Sequence, residues 1–327
     1  MSDLFTRFVM WLVPRYLLRN GVSESMLREF FSHVLSPKNI LFNWLLVRSE
    51  DFLHEKMIRR YNEVMSLPRN GVYDDELRYL TGRPFGKSMF PYERVKPAEP
   101  AVSGVEMGLP YVMHKGRKLF FPKTWDKEIA ESQYRYFMEE EGITGTGHLR
   151  KSPHCYTTES FAVEKGDILL DVGSAEGLFP LDNIDVASKV YVFESLKDWR
   201  KPLHATFAPF GDKVLIINRY VGKETTNKTI RLSDVVGSES SRETFFIKMD
   251  VEGSERDVIL GSESFLRTHR VKLACAAYHR QDDAEVLKTM LESMGFSIAF
   301  SDGYMLPLID DFIFPYFRRG MIYARNY

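Results

Sequence analysis

Residues 167–177, Asp167-Ile-Leu-Leu-Asp171-Val-Gly173-Ser-Ala-Glu-Gly177, constrain this chain more than any other stretch. The apolar run Ile168 to Leu170 is too short for a helix and lies between Gly166 and Gly173, so it predicts a strand buried on both faces. That strand stops at an acid and enters a glycine loop. Leu178 and Pro180 then open a helix, since Pro is tolerated in a first turn whose N–H groups lack intrahelical partners. A turn of this kind presents backbone N–H groups at a helix N-terminus, where a ligand's negative group can be held. Glycine at 173 also admits backbone angles closed to other residues. Nucleotide-binding folds and many plain α/β domains share the pattern.

The spacing helps to choose a ligand. The dinucleotide fingerprint G-x-G-x-x-G uses its second glycine to let the backbone approach a pyrophosphate. Here Gly173, Ala175 and Gly177 give G-x-A-x-G. S-adenosylmethionine (SAM) carries no phosphate, and an acid at a strand end suits its amino-acid portion. A second strand, Lys189-Val-Tyr-Val-Phe-Glu194, ends in a carboxylate about 20 residues after the loop, where such folds accept hydrogen bonds from ribose hydroxyls. Glu194 would serve NAD or SAM equally.

A second motif separates the two. Phe245 to Met249 reads as another buried strand, with Asp250-Val-Glu252-Gly253 as its C-terminal turn. Ligands of doubly wound sheets lie beyond the carboxyl ends of the strands where strand order reverses, so Asp250 and Glu252 should face the loop at 171–177 across that crevice. Val258 with Phe265 and Ile259 with Leu266 place one apolar stripe on the following helix. Ser254 and Glu255 suit that helix's start, and Glu255 reads most simply as a solvated first-turn charge.

With these residues in view, the chain resembles the FkbM family of SAM-dependent methyltransferases. The resemblance rests on the loop from Asp171 to Gly177, Val192-Phe-Glu194, Ile230-Arg-Leu-Ser-Asp234, Ile247-Lys-Met-Asp-Val-Glu-Gly-Ser-Glu255 and Ala277-Tyr-His279-Arg, spread in order over about half the chain. It implies a class I methyltransferase fold and O-methylation of hydroxyls on sugars, polyketides and related metabolites. It also implies a SAM site built from Asp171, Gly173, Ser174, Ala175, Glu176, Gly177, Glu194, Ser195 and Asp250. Glu194-Ser195 stands where the family often has Glu-Pro, and Ser195 is expected to cap the next helix.

The remaining pattern fits that fold. Trp199, Leu203 and Phe207 recur at helical spacing around Pro202, and Val214 to Ile217 reads as the third strand. Thr229 to Leu232 reads as a short extra strand delivering Asp234 ahead of the 250–255 turn. Lys272 to Tyr278 is the next strand, followed by a helix carrying Val286, Leu287, Met290, Leu291 and Met294 and stopped at Gly295. Phe296 to Phe300 and Gly320 to Ala324 close an α/β, doubly wound, seven-stranded and mostly parallel sheet. Its expected order is 3-2-1-4-5-7-6, with one of the last two strands antiparallel.

The turn after the fourth strand lacks the Asn/Asp-Pro-Pro-aromatic sequence of many amino-group methyltransferases, which disfavours nucleobase amines. A hydroxyl is about as weak an acid as water, near 15.7, so a positioned base is expected to contribute roughly 10² to 10⁴ in rate. His279 is the first choice for that base, expected neutral at pH 7 with Asp282 or Asp283 orienting its other nitrogen. A histidine merely satisfied by strand-end hydrogen bonds is the competing reading. Asp250 and Glu252 are alternative catalytic groups, able to take the proton, orient the acceptor or hold a divalent ion. No ion-specific spacing is present, so no required metal is expected. His154 and Tyr156 either close over the cofactor's amino-acid end or pack as an aromatic pair on a loop.

At 327 residues and 44% apolar composition the chain can fill two domains or one decorated domain, and a formal net charge of −1 gives no footprint for nucleic acid. The expected divisions are an N-terminal helical region and linker over 1–104, a hairpin and helix over 105–150, and the methyltransferase domain over 151–327. Residues 2–66 look helical, 67–104 look irregular, and Tyr111 to His114 with Lys118 to Phe121 suggest a hairpin before a helix from Thr124 to Glu141. Phe5, Phe8, Trp11 and Tyr16 can pack on the core, form a homodimer contact or rest on a membrane surface. Phe8 to Val13 is too short for a secretory or membrane-spanning segment. Cys155 and Cys275 form no ligand cluster, consistent with a reducing cytoplasm. Two alternatives stay beside the SAM-dependent O-methyltransferase: an NAD-dependent oxidoreductase, and a non-catalytic SAM-binding protein.

Overall fold

The computed structural model describes residues 54–69, 71–82, 102–140, 153–236, 242–308 and 312–327. The readings placed on Phe5, Phe8, Trp11, Tyr16 and the apolar stretch Ile40 to Val47 lie outside them. The chain divides into two compact units, Met1–Pro91 with Leu306–Phe317, and Tyr92–Met305 with Arg318–Tyr327.

In the first unit, residues 54–65 are helical. A second helix, Asp74–Leu80, follows inside the stretch expected to be irregular. Its first turn carries Asp74, Asp75 and Glu76, which suit the positive end of the helix, while Leu77 is buried. Met57 and Val64 are buried as well. The segment at 306–317 folds with these helices: Arg60 Nη1 donates to Leu308 O at 3.0 Å, and Phe317 stacks on Tyr73 at 4.3 Å between ring centroids.

The second unit begins with an antiparallel three-stranded sheet, β1 (Ser103–Glu106), β2 (Leu109–His114) and β3 (Arg117–Phe120). The β2–β3 hairpin matches the sequence expectation, whereas β1 lies partly in the expected linker. Its packing is polar as well as apolar: Phe120 N donates to Thr206 Oγ1 at 3.0 Å, and His114 Nε2 lies 2.5 Å from Asp182 Oδ1. Helix Lys127–Glu140 follows.

The main sheet contains β4 (Ile168–Val172), β5 (Lys189–Phe193), β6 (Val214–Ile217), β9 (Thr244–Met249), β10 (Arg270–Ala276), β11 (Ser297–Phe300) and β12 (Met321–Arg325). Between β6 and β9, two-residue strands β7 (Tyr220–Val221) and β8 (Thr229–Ile230) pair apart from it. The seven strands lie in the order β6-β5-β4-β9-β10-β12-β11, which is the expected 3-2-1-4-5-7-6. β12 runs antiparallel to both of its neighbours, and the others pair in parallel. Strand order therefore reverses between β4 and β9, and the ends of these two strands mark the crevice where doubly wound folds hold ligands.

Side-chain alternation divides the core between the two faces of the sheet. Ile168, Leu170, Val172, Ile247 and Met249 belong to one cluster, and Leu169, Phe246 and Ala274 to the other. Asp171 and Lys248 face each other in register on β4 and β9. A buried acid is thus set beside a buried base by pairing alone. Helix Leu178–Asp182 starts at Gly177 as expected. The stripe of Val258, Ile259, Phe265 and Leu266 is buried, but it spans two short helices, Glu255–Gly261 and Glu263–Thr268, rather than one.

Candidate active site

The β4 loop is built by close backbone approach. Gly173 has φ of 83°, and a Cβ there would fall 1.8 Å from Asp250 O, so only glycine lets the ends of β4 and β9 meet. Ala175 also has positive φ, at 48°, and its N–H donates to Glu194 Oε2 at 2.8 Å. Glu194 Oε1 accepts from Leu196 N at 2.6 Å. Each oxygen keeps a second lone pair for a ligand hydroxyl. Burial raises the Glu194 pKa, opposed by those two N–H groups and by Lys248. Leu196, not Ser195, is the N-cap of helix Lys197–Phe207, and no side chain caps it. The expected cap is replaced by Glu194, which holds the backbone at 196 itself.

The donor set of this loop is acid-rich. Asp171, Glu176 and Glu194 are all buried. Burial pushes the Glu176 carboxyl up to about 7. Lys248 is the cation among them: its Nζ donates to Gly173 O, lies 3.3 Å from Asp171 Oδ1 and sits 4.9 Å over the Tyr156 ring. Both Asp171 oxygens and Ser174 Oγ are buried and accept no hydrogen bond. Carboxylates that only accept suit hydroxyl and ammonium groups, whereas a pyrophosphate here would face like charge.

Asp250 is the junction of the site. Tyr156 Oη donates to its Oδ2 at 2.8 Å, Tyr278 Oη donates to the same oxygen at 3.1 Å, and His154 Nε2 lies 3.1 Å from it. Burial works to raise the Asp250 pKa, but the hydrogen bond and charge of His154, with the charges of Lys248 and His279, hold it well below the usual carboxylate range. The structure thus unites the loop, the β9 turn and the His154–Tyr156 segment. Tyr278 joins them without having been singled out from the sequence, and its place immediately before His279 was the available signal.

His279 departs from expectation. Its Nδ1 lies 2.9 Å from Glu255 Oε1, and its Nε2 lies 3.4 Å from Asp250 Oδ1 and 3.6 Å from Glu252 Oε2. Burial disfavours its charged form, yet Glu255, Asp250 and Glu252 together raise it to about 9. These carboxylates favour the charged ring, which runs against the neutral base that was expected. Its orienting carboxylate is also not Asp282 or Asp283, since both bind Arg256, at 2.6 and 2.7 Å. Glu255 is no solvated charge: its side chain is 0% exposed, and its Oε1 accepts Val251 N at 3.0 Å. Glu252 is the outward group, 93% exposed on a residue with φ of 53°. Asp234 stays apart from this cluster, bound to Thr225 and Arg231. Cys155 and Cys275 are both buried and are not linked to each other.

This geometry places an acid-rich loop opposite a strand-end carboxylate cluster. Residues 155–298 match the family model described as the Methyltransferase FkbM domain. Over that span the chain is similar to FkbM methyltransferases. The span runs from the segment holding Tyr156, through both walls of the crevice, into β11. No curated protein matches the sequence. Among solved structures, an FkbM methyltransferase from Methylobacillus flagellatus is 19% identical with a TM-score of 0.40, over 50% of this chain and 44% of that one. A Streptococcus pneumoniae protein provisionally named a tRNA (m1A22) methyltransferase, in complex with S-adenosyl-L-methionine, is 18% identical with a TM-score of 0.31, over 50% and 67%. A precorrin-6y C5,15-methyltransferase from Geobacter metallireducens is 10% identical with a TM-score of 0.33, over 50% and 81%. The chain thus spans less than half of the Methylobacillus protein. Among the described residues, no helix is long and apolar enough to cross a membrane.

Proposed function

We propose that the protein is a SAM-dependent methyltransferase acting on a hydroxyl of a small-molecule or carbohydrate acceptor, such as a sugar, a polysaccharide precursor or a secondary metabolite. The observation that carries this reading is the acid-rich loop within the span matched by the FkbM model, where Asp171, paired with Lys248, and Ser174 keep buried oxygens that accept no hydrogen bond and Glu194 closes the loop. Bound SAM would supply an electrophilic methyl group. Asp171 and the loop backbone would receive its amino-acid portion, and Glu194 its ribose hydroxyls. Formal net charge of −1 agrees with a small acceptor rather than nucleic acid.

The chain's own groups must hold the acceptor oxygen and receive its proton. His279, already charged, binds and orients carboxylates instead of taking that proton. The proton passes to the strand-end pair, where Glu252 is the carboxylate an acceptor can reach from solvent. Proximity supplies the rest, once the oxygen is held in line with the methyl group.

Calorimetric titration with S-adenosylhomocysteine and, separately, NADH tests the reading. We expect the former to bind, to lose at least tenfold in affinity in Asp171→Ala and Glu194→Ala, and NADH not to bind. Binding of NADH alone would overturn it.

A further inference from the structure

The hairpin turn at Lys115-Gly116 sets a histidine and two cations against the helix that leaves the 173–177 loop. Both turn residues have positive φ, 49° and 80°, the conformation of a two-residue hairpin turn. His114 and Arg117 pair directly across it and share a face with the buried Val112 and Leu119. That face meets the end of helix Leu178–Asp182. His114 Nε2 lies 2.5 Å from Asp182 Oδ1, and Lys115 Nζ donates to the same oxygen at 2.7 Å. Arg117 Nη2 donates to both Asp185 oxygens, at 2.8 and 2.7 Å.

The histidine is tied at both ring nitrogens. It is buried, and its Nδ1 lies 2.9 Å from Tyr134 Oη on helix Lys127–Glu140. Burial works to raise the Asp182 pKa, but the hydrogen bonds and charges of His114 and Lys115 lower it, so this carboxylate only accepts. Nε2 therefore carries a proton and donates it. The Tyr134 hydroxyl can donate to Nδ1 or accept from it, so Tyr134, His114 and Asp182 are satisfied whether the ring is neutral or charged.

This tie reaches the loop through a short lever. Helix Leu178–Asp182 has five residues, too few to hold itself, and its N-cap, Gly177, has φ of 85° and no side-chain cap. Leu178 and Leu181 bury the helix, but apolar burial is non-directional and leaves its rotation and sliding unfixed. The hydrogen-bonded end at 182 fixes both. The small sheet also holds the following helix, Lys197–Phe207: Phe120 N donates to Thr206 Oγ1, and a Cβ on Gly177 would fall 2.8 Å from Leu203 Cδ2 and 2.9 Å from Phe207 Cε2. Gly177 thus sits where two helices gripped by that sheet meet.

We infer that His114 is a positioning residue for the cofactor loop, acting through Asp182 to set the placement of residues 173–177. Its effect on cofactor affinity rests on the SAM-dependent reading, whereas the tie itself does not. The loss on breaking it should fall on the ligand's amino-acid portion, which the loop receives, and spare the adenosine.

The test is calorimetry with S-adenosylhomocysteine and with 5′-methylthioadenosine, which lacks the amino-acid portion, on wild type, His114→Phe and Asp182→Asn. The Asp182 side chain is 32% exposed, so its variant keeps the fold whatever happens to the buried one. Lys118→Met is the control, since Lys118 pairs with Glu106 inside the same small sheet. In both tie variants S-adenosylhomocysteine affinity should fall about tenfold and 5′-methylthioadenosine affinity stay within about twofold, with the control unchanged. Wild-type S-adenosylhomocysteine affinity in Asp182→Asn, or equal losses for the two ligands, would overturn the positioning role. Amide hydrogen exchange on the same proteins needs no ligand: residues 174–183 should exchange at least about tenfold faster in Asp182→Asn than in wild type, with β9 unchanged. That difference in a wild type that binds no S-adenosylhomocysteine removes the methyltransferase reading and leaves the tie. Cofactor binding with neither difference removes the tie alone.

Discussion

Glu255 shows what burial does to a residue that looks ordinary in sequence. An acid in the first turn of a helix suits the macrodipole and needs no further explanation. Here the β9 turn folds it inward, where it meets two backbone N–H groups and an imidazole from the turn after β10, 24 positions later, and no local pattern encodes that pairing. In Glu255→Gln the charge that holds His279 is lost while the size is kept. Single-turnover methyl transfer should fall at least about tenfold while S-adenosylhomocysteine affinity stays within threefold, and an equal loss in both would make Glu255 merely structural. Glu176 gives a pH prediction. Burial raises its folded-state pKa from about 4.5 to about 7, so the folded chain binds more protons than the unfolded one in that interval. Stability must then fall as pH rises from about 4.5 to 7 and level off above, by on the order of 3 kcal/mol. Urea unfolding of wild type and Glu176→Gln at pH 4.5 and 7.5 measures it. The wild type should lose more stability than the variant across that interval, and parallel losses would remove Glu176 as the cause.

Among elements, the strands of the main sheet were the most legible. Ile168–Val172, Lys189–Phe193 and Thr244–Met249 are apolar runs with sharp ends, and burial on both faces makes such runs continuous. The pairing of the charged members of those runs was not legible, because only register sets Asp171 beside Lys248. Short elements escaped for a related reason. β1, β7 and helix Asp74–Leu80 carry too few apolar positions to stand out, and contacts made elsewhere hold them. Gly173 is the position on which the joined ends of β4 and β9 depend. Gly173→Ala puts a Cβ 1.8 Å from Asp250 O at a positive φ, so backbone must move. The cost should be about 3 kcal/mol or more, combining strain and clash. Thermal unfolding should show it together with loss of S-adenosylhomocysteine binding. A stable variant that binds normally would mean that the two strand ends are not tightly coupled.

For the whole molecule, sequence order does not equal structural membership. A methyltransferase domain drawn as residues 151–327 would include 306–317, yet that segment folds with the N-terminal helices. Leu306, Leu308, Tyr316 and Phe317 are buried there, Arg60 binds Leu308 O, and Tyr316 Oη donates to Glu63. The unit consequently closes only when residues far apart in the chain meet, which no window of local periodicity detects. Removing residues 1–91 should expose those four side chains in one stretch. The truncated chain should keep its parallel sheet, since the pairing of β4, β5, β9 and β10 lies wholly in the second unit. Its segment 306–317 should become the first site of proteolytic cleavage, because local stability follows buried contacts. Limited proteolysis read by mass spectrometry, on full-length and truncated protein side by side, checks this. Equal resistance of the segment in both would show that its order comes from the sheet-bearing unit alone, and that the methyltransferase domain runs unbroken to the C-terminus.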